Sequence, residues 1–442
     1  MNYLRKVLPL LICVGPLSAS YAIPGVSTDT LTLTLPDAWN RAASHSRAIE
    51  IRRKAAAAAQ EGILDAQMER LPDINIAGSV LGATNMPVYE NGLSAPSQHD
   101  VIHVLYSAGT DFYLNLYNGN KNNLKVKENK ALYQMALIQQ DQTVSNIRYQ
   151  AASLYLELQK STIFRDLIQK DIVDQERQLR EIQSLNRNGV VLKSDVLRVE
   201  LDLSKRRMTL VQIQNDISIA SQKLNILIGE PDEKIISPVS PTEVLTKDPG
   251  SYEECLNMAM DHSYALHLSE QQTSLSRLHL RQIRANVRPT VGLMGDFHYG
   301  NPQIMLYPYN AYWYSIGIGG IKASFPISSF YHNIYKTRTA KIELEQEEEA
   351  HRDQEDHVRQ QVREAYLRYR ESLVQIDVAL VSVDRAVENE RIIRSAYFNQ
   401  AALITDLLDA DIQVLQTRFD LEAARITAQD RYYLLENIIG NL

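Results

Sequence analysis

Three landmarks of this 442-residue chain recur at one fixed spacing. Tyr155-Leu156 returns as Tyr366-Leu367, Ser194-Asp195-Val196-Leu197 as Thr405-Asp406-Leu407-Leu408, and Leu227-Ile228-Gly229 as Ile438-Ile439-Gly440, each 211 positions further on. An internal duplication accounts for one shared offset better than coincidence does. The unit is far longer than the roughly 20–50 residues of a solenoid repeat, so each copy must be a substantial module. The boundaries read as a first repeat over 23–229 and a second over 251–442. Between them lies a connector, 230–250, expected to be irregular because it holds Pro231, Pro238, Pro241 and Pro249.

Residues 1–22 read as a signal peptide. Arg5 and Lys6 precede an apolar stretch from Val7 to Val14, and Ser20-Tyr21-Ala22 offers the small residues of a cleavage site. Cys13 follows Ile12, where a lipoprotein signal needs a small residue, so lipidation is not expected. Cys255 is then the single cysteine of the mature chain, which leaves no disulfide and no cysteine-based metal site. The formal charge of −7 becomes −9 once Arg5 and Lys6 leave with the signal, which argues against nucleic acid as a partner. Mean hydropathy is −0.26, and no mature segment reaches the roughly 18–20 apolar residues of a spanning helix. Tyrosine is abundant, at 23 against 7 Phe and 2 Trp; with an apolar ring and a polar tip it suits surfaces that meet both oil and water.

Each repeat reads as helix, strand, loop, strand, long helix, turn, helix. In the first, a helix opens at Leu35-Pro36-Asp37 and runs unbroken to about Arg70, where Leu71-Pro72 stops it. A strand follows over 74–84, then a polar loop. In the next strand Ile102, Val104, Tyr106, Ala108, Thr110, Phe112, Leu114 and Leu116 share one face. That alternation lasts about 15 residues, against five or six for an ordinary strand and about 9–11 for a tilted membrane strand. Past Asn118-Gly119-Asn120 a stretch without proline or glycine extends to about Arg187, about 100 Å of helix. The last helix, 194–228, and the opening one would each cover about half that length. The second repeat has a helix over 252–287, strands over 290–300 and 312–326, and helices over 333–397 and 405–439. Gly317, Gly319 and Gly320 in its second strand point to a bulge. Four strands cannot close a membrane barrel, whose usual minimum is eight, and lipid tolerates no open sheet edge. Chains must therefore pool strands: two copies give eight and three give twelve.

With its signal peptide, the Leu-Pro stop before the first strand, Leu116-Tyr117-Asn118-Gly119-Asn120-Lys121 at the strand-to-helix passage, the weaker Phe325-Pro326-Ile327-Ser328 at the matching place, and the doubled helical tips at 189–197 and 401–410, the chain resembles the outer-membrane efflux (TolC) family over its whole mature length. The resemblance implies a mainly α fold with membrane β: a homotrimer whose twelve-stranded barrel, four strands per chain, sits in outer-membrane lipid and continues as a long α-helical barrel into the periplasm. It implies an exit duct that docks a periplasmic adaptor and an inner-membrane transporter to export small toxic compounds, with no cofactor, metal or catalytic site of its own. Type I polypeptide secretion through the same duct is the nearer alternative. A soluble periplasmic coiled-coil scaffold is the further one, and it leaves the paired strands unexplained.

Matched position by position, Asp406 and Asp409 resemble the family's aspartates at the periplasmic aperture; three copies would bring six carboxylates near one axis, a ring that attracts cations and resists anions. Asp195 and Tyr397 match positions where the family ties one hairpin tip to its neighbour, although Asp195, following Ser194, also reads as a helix cap. The adaptor-docking tips are Gly189, Val190, Val191, Leu192, Leu403 and Ile404, with Val191, Leu192, Leu403 and Ile404 expected to be exposed. Two departures stand out: Ala402 occupies the place of a basic residue, and Gln400 that of a glycine, so the second turn is not expected to copy that of Gly189. Aromatic residues near the strand ends, such as Tyr106, Tyr117, Trp313, Phe325 and Phe330, read as a membrane-interface girdle. His262 and His267, five apart, do not face each other on a helix. No zinc-protease motif, nucleotide loop, nucleophile elbow or triad is found.

Overall fold

The structure, a computed structural model, describes residues 30–90, 92–239, 248–303 and 310–442. The signal-peptide segment and Pro241 lie outside the described residues. In chain order the elements are β1 (Leu31–Leu33), α1 (Leu35–His45), α2 (Arg47–Met68), β2 (Asp73–Gly82), β3 (Met86–Val88), β4 (Ser97–His99), β5 (Val104–Tyr117), α3 (Lys121–Arg187) and α4 (Lys193–Ile228). After β6 (Ile236–Pro238) come α5 (Tyr252–His262), α6 (Tyr264–Ala285), β7 (Thr290–Asn301), β8 (Tyr314–Ser324), α7 (Ser329–Phe398) and α8 (Ile404–Ile438). Among the described residues no helix is long and apolar enough to cross a membrane.

The opening helix of each half is not continuous as expected: it breaks at Ser46 and again at Ser263. Both serines are extended, with ψ of 117° and 120°, yet each N–H still closes the preceding helix, on Ala42 and Ala259, at 2.9 Å. Ser46 also starts α2 by accepting from the Ile49 N–H at 3.5 Å. Serine competes with the backbone for hydrogen bonds and so favours such a boundary. Packing fixes the break there. The end of α4 abuts it, and a Cβ on Gly229 would lie 2.5 Å from the His45 ring; α8 ends likewise before Gly440, where an added Cβ would lie 2.5 Å from the His262 carbonyl oxygen. Both glycines have left-handed φ, 78° and 80°, which only glycine adopts without strain.

The 22 residues of α2 and the 36 of α4 therefore run along the 67 of α3, as the 22 of α6 and the 35 of α8 run along the 70 of α7. At 1.5 Å per residue α3 is about 100 Å long. A waist forms where the half-length helices meet. On one side of it α1, α3, α4 and the β-strands bury Leu33, Ala42, Tyr155, Leu158, Leu224 and Ile236; on the other, α5, α7 and α8 bury Cys255, Val358, Val362 and Leu435. The connector is less irregular than its prolines imply, because β6 pairs in parallel with β1 and contributes Ile236 to this core.

Beyond the upper helix ends β2, β5, β7 and β8 form one antiparallel sheet in the order β2-β5-β7-β8. The register puts Ile74, Ile76, Val80, Tyr106, Phe112, Phe297 and Tyr299 on one face and Asn75, Ser79, Ser107, Asp111, Asp296 and His298 on the other. The apolar face is bare: Ile76 is 86% exposed. The polar face is cross-linked, with Asn75 Nδ2 donating to Asp111 at 3.0 Å and Ser79 and Ser107 hydroxyls 2.8 Å apart. The expected bulge at the β8 glycines is absent, since β7 and β8 pair without a shift; the irregularity lies between Asn115 and Tyr117 of β5 instead. In β8 the glycines blur the alternation, with Ile316 and Ile318 sharing the polar face. Trp313 stacks 5.0 Å from Tyr299 at one end of the sheet, and Phe325 and Phe330 meet at 5.7 Å at the other.

Candidate channel tip and gate

The far ends of the two helical hairpins have the same backbone. The N–H groups of Asn188, Gly189 and Val190 donate to the carbonyls of Ser184, Asn186 and Leu185; those of Asn399, Gln400 and Ala401 donate to Ser395, Tyr397 and Ala396. Every partner is displaced by 211 positions. Gly189 has φ 75° and Gln400 has φ 62°. The expectation that Gln400 breaks the likeness is therefore wrong: glutamine takes the left-handed conformation at a cost of about 1–2 kcal/mol, offset by the same closing hydrogen bonds. Leu192 and Leu403 stand extended at the next helix starts, and neither supplies a side-chain cap.

Beneath the turns, Ile182, Val196, Val199, Tyr397, Ile404, Leu407 and Leu408 form a small core. This corrects the expected exposure of the tips. Ile404 is buried and Val191 packs against the core, because both fill the gap under their turns; Leu192 and Leu403, about 70% exposed, and Val190 form the outward apolar surface. The aspartates are unequal. Asp406 lies exposed in the first turn of α8 and caps it, accepting from the Leu403 N–H at 3.1 Å. Asp195 has only a 3.5 Å contact from the Ser194 hydroxyl and caps nothing. Asp409 is exposed, on the face of Asp406.

Tyr397 is buried, and its hydroxyl has no hydrogen-bond partner. Burial, and then the nearby Asp195 carboxylate, push its phenol pKa up. The two residues of the expected latch are thus neighbours within one chain, with no hydrogen bond between them.

A polar layer missed from the sequence crosses the hairpins above this core. Asp411, 5% exposed, accepts from Gln175 and Gln178 at 3.0 Å each, and Arg394 reaches it at 3.4 Å while also pairing with Glu390. Alongside, Arg206, 4% exposed, donates to Asp202 at 2.6 Å and to Asp171. Asp171 keeps a raised pKa, because burial outweighs the pull of Arg206. The signal was present: Ile404, Leu407, Asp411 and Val414, like Val199, Asp202, Arg206 and Ile213, follow the spacing of a buried helical stripe, so each charged member had to be buried.

Residues 38–230 match the family model described as outer membrane efflux protein. Over this stretch the chain is similar to that family. The likeness of fold to solved channels extends over the second half as well. The VceC outer membrane protein of Vibrio cholerae is similar, with TM-score 0.76 at 16% identity over 92% of this chain and 96% of that one. CusC, described with its transmembrane channel formation, gives 0.77 at 14% over 92% of each. The open state of the MtrE outer membrane channel of Neisseria gonorrhoeae gives 0.71 at 14% over 92% and 88%. No curated protein sequence matches the chain. The whole chain thus has the fold of solved outer-membrane channels, and its first half matches the outer membrane efflux protein model.

Proposed function

We propose that three copies of this chain assemble into the outer-membrane exit duct of a tripartite efflux pump, which receives small toxic compounds from an inner-membrane transporter through a periplasmic adaptor. One observation carries the reading: a four-stranded sheet with two open edges and a bare apolar face stands on about 100 Å of helix. In water the apolar face is exposed without cover, and in lipid the edges are unpaired. Pooling twelve strands removes both problems at once. Leu192 and Leu403, with Gly189 and Val190 beside them, form the adaptor contact, and Asp406 and Asp409 line the aperture that the adaptor opens. Tyr397 and Asp195 act as the latch only when a neighbouring copy brings a further partner to the tip.

Asp409 gives the cleaner test, since Asp406 also caps α8. In planar bilayers under a KCl gradient, Asp409→Asn is expected to shift the reversal potential toward lower cation preference and to raise the resting conductance. Unchanged selectivity removes Asp409 from the aperture. Gene deletion is expected to sensitise cells to dyes and detergents; loss of a secreted polypeptide with unaltered sensitivity would replace drug efflux by polypeptide secretion.

A further inference from the structure

At the waist, where α1 crosses α3 beside α8, a cavity of about 410 Å³ opens among four aromatic rings and two amides: Trp39, Tyr155, Tyr432, Tyr433, Gln159 and Gln429. Among the described residues no charged side chain lines it. Trp39 and Tyr433 meet edge to face at 5.6 Å and 87°, and Tyr432 and Tyr433 at 5.6 Å and 71°. Rings set nearly at right angles turn their π faces in different directions, as a cage around a cation requires. The Tyr155 hydroxyl is already committed, donating to the carbonyls of Leu33 at 3.1 Å and Val239 at 2.9 Å.

Gln159 is different. It is 4% exposed and lines the cavity, yet its amide makes no hydrogen bond among the described residues. The buried polar atom without a partner at this cavity is Trp39 Nε1; the Gln159 amide is left to the cavity, where its oxygen can accept from a ligand's N–H. Burial is the main reason that the phenols of Tyr155, at about 12, and of Tyr432 and Tyr433 are pushed up, and the carboxylates of Asp37 and Glu436 add to it. Those two carboxylates are the nearby charge that a bound cation would meet.

We propose that this cavity binds a protonated aromatic amine, its ammonium held among the ring faces and its N–H donating to the Gln159 amide oxygen. The site lies within one chain and does not depend on the duct reading.

The test uses the full mature chain in lipid nanodiscs with Trp313→Phe, which leaves Trp39 as the single tryptophan. Trp39 emission is followed on titration with N,N-dimethylbenzylamine, benzyl alcohol and phenylmethanesulfonate at neutral pH. The amine is expected to saturate, and the neutral and anionic probes to bind at least about tenfold more weakly. Gln159→Leu is expected to weaken the amine about tenfold, the loss of one charge-assisted hydrogen bond, and Glu436→Gln about threefold, the loss of one nearby charge. Equal binding of all three probes, or no saturation by the amine, overturns the proposal. That comparison needs no cavity variant and holds even where Gln159→Leu does not fold. A folded Gln159→Leu chain with unchanged amine affinity overturns it as well.

Discussion

Gln400 shows how one residue can be made to obey a turn that its side chain disfavours. The closing hydrogen bonds of the second tip hold it at φ 62°, so Gln400→Gly should relieve strain and stabilise that tip by about 1 kcal/mol. Slower amide hydrogen exchange over 396–403 is the expected signature; faster exchange would show that the turn is not strained. Asp171 gives a second residue-scale prediction. Burial raises its pKa above the ordinary 3.8 even beside Arg206, so the folded chain holds this proton more tightly than the unfolded chain does. Its contribution to stability therefore grows as pH falls through the folded pKa toward 3.8, and is lost as pH rises above it. Urea midpoints measured from pH 7 to pH 4 should show this component in the wild type and not in Asp171→Asn. The duplicated Ser/Thr-Asp starts and the two Gly ends were legible in the sequence. The left-handed Gln400 was not, because only the surrounding hydrogen bonds impose it.

Among the elements, the strands divide their two faces so sharply that a single substitution should report the surroundings of each. Ile76→Arg places a charge on the bare face of β2, and near the mid-depth of a bilayer this costs about 2–4 kcal/mol. Ser79→Arg, on the opposite face of the same strand, should be far better tolerated. Folding yield into lipid vesicles, read by the band shift of unheated samples on gels, separates the two; equal yields would place water on both faces. The long α3 was read to its last residue, because 67 residues without proline or glycine leave no other element. The breaks at Ser46 and Ser263 were not read. Serine is tolerated in helices, and what forces the chain out of line is the arrival of α4 and α8 from far along the sequence. Equally, β1 and β6 were invisible, since a three-residue pairing across the chain leaves almost no local pattern.

On the scale of the whole molecule, the proposed duct requires the open edges of β2 and β8 to find partners in other copies. Cysteines at Ile76 and Ile321, one on each edge strand and both on the apolar face, test this in a chain whose Cys255 is buried. Treatment of Ile76→Cys/Ile321→Cys membranes with a short bismaleimide should give covalent dimers and trimers. A chain that remains monomeric would mean that the edges do not meet across copies. The waist offers a contrast, since its two buried cores and the cavity beside Gln159 are complete within one chain.

Taken alone, the order of residues determined the two-fold internal plan, the long helices, the alternating strands and the paired tips. All of these are written in local periodicity and in glycine and proline punctuation. Only the tertiary structure decided where the half-length helices meet, which tip residues are core, and which partners Arg206 and Asp411 find inside. Those outcomes depend on contacts between segments as much as 236 residues apart, such as Gln175 with Asp411, and the energy of such a contact is set by what arrives from elsewhere in the fold rather than by neighbours along the chain.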